Sequence, residues 1–224
     1  MIKAVAFDAY GTLFDVYSIG ALAEELFQGH GAELAALWRD KQIDYTRLRT
    51  LSSRYADFWQ VTEDGLEFAC AQLGLALSEA NKHRLMDQYA RLAPHPEVRA
   101  ALLRLKAKGL PLAILSNGTR PMLESAVASA GMDGLFDHLL SIDVGQKYKT
   151  APEAYQLGPD TFGCPASEIL FVSSNGWDAC CATWFGYTTF WVNRGERPLE
   201  RLGVTPTAIG RTMDDVVEFV GKTA

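Results

Sequence analysis

The sequence predicts an α/β fold, a parallel sheet with crossover helices that carries an all-helical insertion after its first strand. Two observations point there. Short apolar runs recur at 4–7, 112–115, 169–172 and 188–192, and such runs, alternating with helical patterns, read as strands buried on both faces of a parallel sheet. Each run also ends in a polar cluster: Asp8-Ala9-Tyr10-Gly11-Thr12, Ser116-Asn117-Gly118-Thr119, Ser173-Ser174-Asn175 and Asn193-Arg194-Gly195. In an open α/β sheet ligands bind outside the carboxyl ends of the strands, so these clusters are expected to converge on one crevice.

The first strand, Ala4-Val5-Ala6-Phe7, is followed by a segment of a different kind. Residues 16–93 contain no convincing strand and read as helices at 19–27, 32–51, 63–73 and 78–92, which suggests a cap over the crevice. Pro94 and Pro96 punctuate the return to the α/β pattern. The expected division is therefore a core domain of residues 1–15 and 94–224 and a helical cap domain of residues 16–93. Helical patterns at 97–108, 121–130, 151–162, 177–185 and 213–220 supply the crossovers.

Composition excludes several classes. With 224 residues and 48% hydrophobic content the chain can bury one domain plus a sizeable insertion. A net charge of −6 with scattered basic residues argues against a nucleic-acid partner, which phosphate-binding Lys and Arg clusters would mark. No apolar run approaches the ~20 residues of a membrane span, and the N-terminus enters a strand without a signal-peptide pattern. A soluble cytoplasmic protein with no membrane partner is expected. Cys70, Cys164, Cys180 and Cys181 lack CxxC spacing and read as reduced structural thiols.

The polar clusters carry the chemistry. Phe7-Asp8-Ala9-Tyr10-Gly11-Thr12-Leu13 sets an aspartate at a strand end before a Gly-Thr turn. Ser116-Asn117-Gly118, Lys149 within Lys147-Tyr148-Lys149-Thr150-Ala151-Pro152-Glu153, and Ser173-Ser174-Asn175-Gly176-Trp177-Asp178 follow in order, each at a strand end or helix entrance. This set resembles the four motifs of the haloacid dehalogenase-like superfamily, over the whole chain including the helical segment. The resemblance implies a Rossmann-like core and a nucleophilic Asp8.

Most members of that superfamily are phosphatases, in which a second aspartate two residues on protonates the departing alcohol and Mg²⁺ lets an anionic nucleophile approach phosphate. Here the second position is Tyr10, and Ser174 stands where the first acid of motif four is usual, leaving Asp8 and Asp178 as a poor magnesium site. A halide leaving group needs neither a proton nor a metal, only a positive or hydrogen-bonding sink, and Arg39 can supply one. The segment Trp38-Arg39-Asp40-Lys41-Gln42-Ile43-Asp44-Tyr45-Thr46 resembles the cap of L-2-haloacid dehalogenases, as do Phe58-Trp59 and the tract 173–178 with Trp177. Thr150 departs from the pattern, where Pro is expected after the motif-three lysine.

The expected reaction is metal-independent and cofactor-free hydrolysis of a small (S)-2-haloacid to the (R)-2-hydroxy acid through an aspartyl ester. Asp8 attacks carbon, Arg39 receives the halide, and the Ser116 hydroxyl with backbone N–H groups near Tyr10 and Asn117 holds the substrate carboxylate. Lys149 keeps Asp8 ionised, Asp178 holds Lys149 and helps activate water, and Ser173 and Asn175 hydrogen-bond to Asp8 or that water. The resemblance implies that Thr12 fixes Asp8 and that Tyr155 belongs to the active site. Tyr10, Phe58, Trp59 and Trp177 are expected to form an apolar wall that strips water from nucleophile and halide. The resemblance also suggests a homodimer, with Trp38, Tyr45, Leu48 and Tyr55 as interface positions. The alternatives are a phosphatase of the same superfamily with a degraded metal site, or an inactive binding homologue.

Overall fold

The computed structural model describes residues 1–223. Six parallel strands form one sheet: β1 (Ala4–Phe7), β2 (Leu112–Ser116), β3 (His138–Ser141), β4 (Ile169–Ser173), β5 (Thr188–Val192) and β6 (Ala208–Gly210). Their spatial order is β3-β2-β1-β4-β5-β6. Every residue of β1, β2 and β4 is buried, because helices cover both sheet faces and leave no polar side for alternation. β3 and β6 are the two edges and were not legible as strands. Their side chains are half-buried or exposed apart from Ser141, so neither carries the continuous apolar run that marks an interior strand.

Helices α1 (Gly20–Leu26), α2 (Gly31–Leu51), α3 (Phe58–Gln72) and α4 (Glu79–Tyr89) lie between β1 and β2. The crossovers and closing helix are α5 (Val98–Lys106), α6 (Arg120–Ser129), α7 (Pro152–Phe162), α8 (Gly176–Phe185) and α9 (Met213–Thr223). α3 begins five residues before the expected position 63, because the Asp57 carboxylate accepts from Gln60 N–H at 2.8 Å and caps the helix there. Ser78 and Thr119 cap α4 and α6 in the same way.

The chain leaves and re-enters the α/β layer at one place. Phe14 and Pro94 form an antiparallel bridge, flanked by Asp15 N–H to Ala93 O (2.8 Å) and His95 N–H to Leu13 O (3.0 Å). The helical segment is tied to the layer below it elsewhere: Tyr148 N–H donates to Thr50 Oγ1 (3.1 Å), Tyr148 OH to Ala56 O (2.6 Å), and Tyr55 OH to Asp143. Two of the expected dimer-interface positions, Trp38 and Tyr55, are therefore engaged within the chain. Trp38 is 2% exposed, its Nε1 donating to Thr62 O at 2.7 Å, and Tyr55 is engaged by Asp143, whereas Leu48 is 59% exposed. Indole and phenol groups both find partners across the helix contacts, which favours burying them over leaving them in water.

Candidate active site

β1 and β4 are neighbours at the point where the strand order reverses, and the groups beyond their carboxyl ends meet there. Asp8 is pinned at that spot because its N–H donates to Val172 O of β4 at 2.9 Å. Gly11, at φ +92, turns the chain back on itself, a conformation costly for any residue with a Cβ. The reversal returns the Thr12 hydroxyl to Asp8 Oδ2 at 2.7 Å, and the same hydroxyl oxygen accepts from Ser174 N–H at 2.8 Å.

Three donors hold the Asp8 carboxylate. Oδ2 accepts from Thr12 and from Asn175 Nδ2 (2.8 Å), and Oδ1 accepts from Lys149 Nζ (3.1 Å). Lys149 is 1% exposed and its Nζ also donates to Asp178 Oδ2 at 3.1 Å, so two buried carboxylates share one ammonium group. Asn117 Oδ1 accepts from Lys149 N–H at 2.9 Å and fixes the backbone from which the lysine reaches in; the Lys149–Thr150 peptide is cis. Phe171 packs under Lys149, with Nζ 4.8 Å from the ring centroid.

Asp178 is fully buried. Burial pushes its carboxyl above the ordinary value; Lys149 opposes this, the nearby Asp8 charge adds to it, and the Tyr155 hydroxyl, 2.6 Å from Oδ1, opposes it again. Burial likewise lifts the Tyr155 phenol well above its ordinary range, so it remains a donor. The Tyr155 hydroxyl bonds Asp178 and not Asp8 among the described residues, so its link to the nucleophile runs through Asp178 and Lys149. Ser173 is similarly placed: its Oγ accepts from Asn175 N–H at 3.1 Å and so orients Asn175, with no bond to Asp8.

Arg39 crosses from α2 to this centre. Its Nη2 donates to Tyr10 O at 3.0 Å and its Nη1 to Gln42 Oε1 at 2.7 Å; both partners are neutral, and among the described residues it pairs with no carboxylate. Tyr10 is buried between Phe58 (centroids 5.4 Å apart) and Tyr89 (5.6 Å), with its hydroxyl unpartnered. Ser116 and Asn117 are buried at the end of β2, where Ser116 Oγ accepts from Gly118 N–H at 3.1 Å. The remaining aromatics lie apart. Trp59 lines a separate groove with Thr119, Met122 and Asp143, and Trp177 lies against Arg47 (5.0 Å) in an open cleft beside Asn175.

The oxygens that a magnesium ion would need already face donors. Asp8 accepts from three groups, Tyr10 O from Arg39 and Asn175, and Ser174 Oγ from Arg194 Nη1 at 2.7 Å. Mg²⁺ demands about six oxygen ligands in near-octahedral array, and this donor set does not fit it.

Sequence reasoning missed Gln42, Thr62, Tyr89 and Arg194. Arg194 pairs with Glu97 (2.8 Å) and donates to Ser174 Oγ and Thr12 O (3.1 Å), joining the loops after β1, β4 and β5. Its place in a strand-end cluster was the available signal. A cavity of ≈ 240 Å³ opens beside Arg39 and Asn175, lined also by Tyr17, His95, Arg194 and Arg197.

A family model for haloacid dehalogenase-like hydrolases matches residues 2–183. The chain is 48% identical over 218 residues to the (S)-2-haloacid dehalogenase of Pseudomonas sp. (strain YL), spanning 97% of this chain and 94% of that protein. Among solved structures it is similar to an L-2-haloacid dehalogenase with a TM-score of 0.97 at 57% identity, over 98% of this chain and 99% of the other. The L-2-haloacid dehalogenase from Xanthobacter autotrophicus with chloropropionic acid covalently bound aligns with a TM-score of 0.93 at 36% identity over 100% of both chains.

Proposed function

The chain belongs to the haloacid dehalogenase-like hydrolases, and from that premise we propose that it hydrolyses small (S)-2-haloacids to (R)-2-hydroxy acids and halide through an ester on Asp8, without a metal. One observation carries the reading. The buried carboxylate of Asp8 is oriented by Thr12, Asn175 and Lys149, with no acid at Tyr10 to protonate a departing alcohol and none at Ser174 to bind Mg²⁺. The Xanthobacter relative, with chloropropionic acid covalently bound, is consistent with an ester at the equivalent centre.

In the first step an oxygen of Asp8 forms a bond to C2 from the side opposite the halogen, the carbon–halogen bond breaks, and the halide leaves with the bonding pair toward Arg39. Oδ1, which carries a single donor, is the attacking oxygen. Ser116 with backbone N–H groups near Tyr10 and Asn117 holds the substrate carboxylate for in-line attack. Tyr10 and Phe58 wall the reacting carbon and exclude water, whereas Trp59 and Trp177 line other clefts. In the second step water gives a proton to Asp178 and attacks Cγ of Asp8, the Cγ–Oδ1 bond breaks, Asp178 returns that proton to the departing oxygen so that the hydroxy acid leaves carrying the former aspartate oxygen, and the second water proton is released to solvent as the Asp8 carboxylate reforms. Lys149 balances the two carboxylates throughout.

The test is halide release from each enantiomer of 2-chloropropionate with and without EDTA. Turnover of the (S) form that survives chelation is expected; absence of halide release, or its loss on chelation, would sink the reading. The same assay with a phosphate monoester covers the phosphatase alternative.

Tyr155→Phe provides a pH test. The Tyr155 hydroxyl holds the Asp178 carboxyl down, so removing it raises that carboxyl further. A base must be deprotonated to work, and the acid limb of the rate profile is therefore expected to move to higher pH, with the plateau reached later. A profile unchanged from wild type would exclude Asp178 as the base.

We also take residues 16–93 as a cap domain on a core of residues 1–15 and 94–224, a division supported by the paired crossing at Phe14 and Pro94. A homodimer is proposed on the family resemblance, through the α2 face that exposes Leu48 and Leu51; light scattering in solution tests it. A cytoplasmic location is proposed with it, and no helix among the described residues is long and apolar enough to cross a membrane.

A further inference from the structure

Resting on the dehalogenase reading above, we propose that Gln42 is the positioning residue of the halide sink: its side-chain carbonyl, aimed by a one-way hydrogen-bond chain from α3, sets the Arg39 guanidinium at the reacting centre without neutralising its charge.

The direction of the chain follows from its first member. Phe58 O is a backbone carbonyl and can only accept, so Thr62 Oγ1, 2.6 Å away, donates its single proton to it. With that proton committed, Thr62 Oγ1 can only accept, and the group 2.6 Å from it on Gln42 must be the Nε2 amide. The Gln42 carbonyl oxygen then faces the opposite way, where it accepts from Tyr89 OH at 3.0 Å and Arg39 Nη1 at 2.7 Å. The reverse amide orientation would set N–H against a guanidinium and a carbonyl against an oxygen that has no proton to give. A single orientation satisfies every member.

All of this happens out of water. Gln42 and Thr62 are 0% exposed and Tyr89 is 4% exposed. Burying an amide and two hydroxyls is costly unless each is paired, and an apolar set would fill the same space without that requirement. What the polar set adds is an acceptor directed at Arg39. The close approach of α3 to α2 that it needs depends on Gly65: a Cβ there would lie 3.3 Å from Gln42 N and 3.3 Å from Trp38 Cδ1.

Neutrality of the acceptor matters to the chemistry. A glutamate at position 42 would pair with Arg39 and cancel the charge that the departing halide needs, whereas an amide oxygen holds the guanidinium in place and leaves it cationic. Gln42 and Tyr10 O occupy one N–H on each of Nη1 and Nη2, and guanidinium has five, so donors remain for halide. Donors fixed before reaction stabilise charge as it develops in the transition state without reorganisation at that moment.

The experiment measures single-turnover halide release from (S)-2-chloropropionate and (S)-2-bromopropionate by wild type, Gln42→Met, Gln42→Glu and Thr62→Val, with thermal melts alongside. Chloride is the poorer leaving group and leans harder on the sink. Gln42→Met and Gln42→Glu are expected to slow chloride release by about tenfold to a hundredfold and bromide release by less. Thr62→Val, which keeps Gln42 but frees its amide to turn over, is expected to show the same selective loss in weaker form. A purely structural role predicts equal losses on both substrates in proportion to the drop in melting temperature, and that result overturns the proposal. So does a full rate in folded Gln42→Met. If Gln42→Met does not fold, equal rates for wild type and Thr62→Val overturn it by themselves. Wild type that releases no halide from either substrate overturns the functional reading, and the relay with it.

Discussion

Asp8→Asn is expected to abolish halide release, with a loss of about 10⁴-fold or more in kcat. The substitution is nearly isosteric but removes the anionic oxygen that must form the bond to carbon, and no other carboxylate lies where it could substitute. Asp178, the nearest, has one oxygen on Lys149 and the other on Tyr155 and is fully buried. The amide also conflicts with its surroundings, because Thr12, Asn175 and Lys149 all present donors and the substituted side chain's N–H must face at least one of them. Some loss of stability is therefore expected beside the loss of turnover, and circular dichroism separates the two. A single turnover of wild type in ¹⁸O-water adds the isotopic check: the label is expected in the Asp8 carboxylate, with the product carrying unlabelled aspartate oxygen. Label found in the product alone would mean that water attacks the substrate directly, and undiminished turnover by Asp8→Asn would refute the nucleophile.

Lys149→Met is expected to remove activity and to weaken the fold as well. The lysine is the sole cation bonded to both Asp8 and Asp178 among the described residues, and all three groups are nearly or fully buried. Deleting one member of a buried charge cluster leaves the others uncompensated, at a cost of about 3–5 kcal/mol. The pH dependence has a definite sign. Without the ammonium, which holds it down, the Asp178 carboxyl rises further above its unfolded value of about 4, so the folded variant binds a proton that the unfolded chain has released. Its stability deficit is therefore full above that raised value and shrinks as pH falls through it toward 4. Asp178 in the wild type, already lifted by burial, contributes in the same direction on a smaller scale. Chemical denaturation of wild type and variant at pH 8 and pH 5 measures this: the gap between them is expected to narrow at pH 5. A gap of equal size at both pH values would show that the lost stability is packing of the lysine stem and not charge.

Which residues stand at the strand ends was readable directly. Asp8, Lys149 and the tract from Asn175 to Asp178 sit in three separate stretches of chain, yet each follows a strand-like run or opens a helix. A parallel sheet brings such positions to one edge because all its strands point the same way. Arg39 stood out among the cations of the helical segment through the resemblance of the tract 38–46 to the cap of L-2-haloacid dehalogenases. The roles of their neighbours were less legible. Ser173 and Asn175 are two residues apart and polar, and nothing in their spacing distinguishes the one that bonds Asp8 from the one that orients its partner. Trp59 follows Phe58, but consecutive residues on a helix point about 100° apart. Phe58 accordingly meets Tyr10, and Trp59 turns to a different groove.

What the sequence by itself determined is the class of fold, the interior strands and the chemistry of the nucleophile, because each is written in local pattern: apolar runs long enough to be buried on both faces, and residue types that permit one leaving group and not another. The edge strands β3 and β6 needed their neighbours to be recognised, since a half-exposed run is stabilised by pairing and not by its own burial. The tertiary structure alone decided the environment of each charge. That one ammonium serves two carboxylates, that Tyr155 bonds to Asp178, and that a buried glutamine aims Arg39 are facts of distance between segments far apart in the chain. Hydrogen bonds and ion pairs act over about 3 Å and leave no periodic trace in sequence, whereas hydrophobic burial repeats along every element and does.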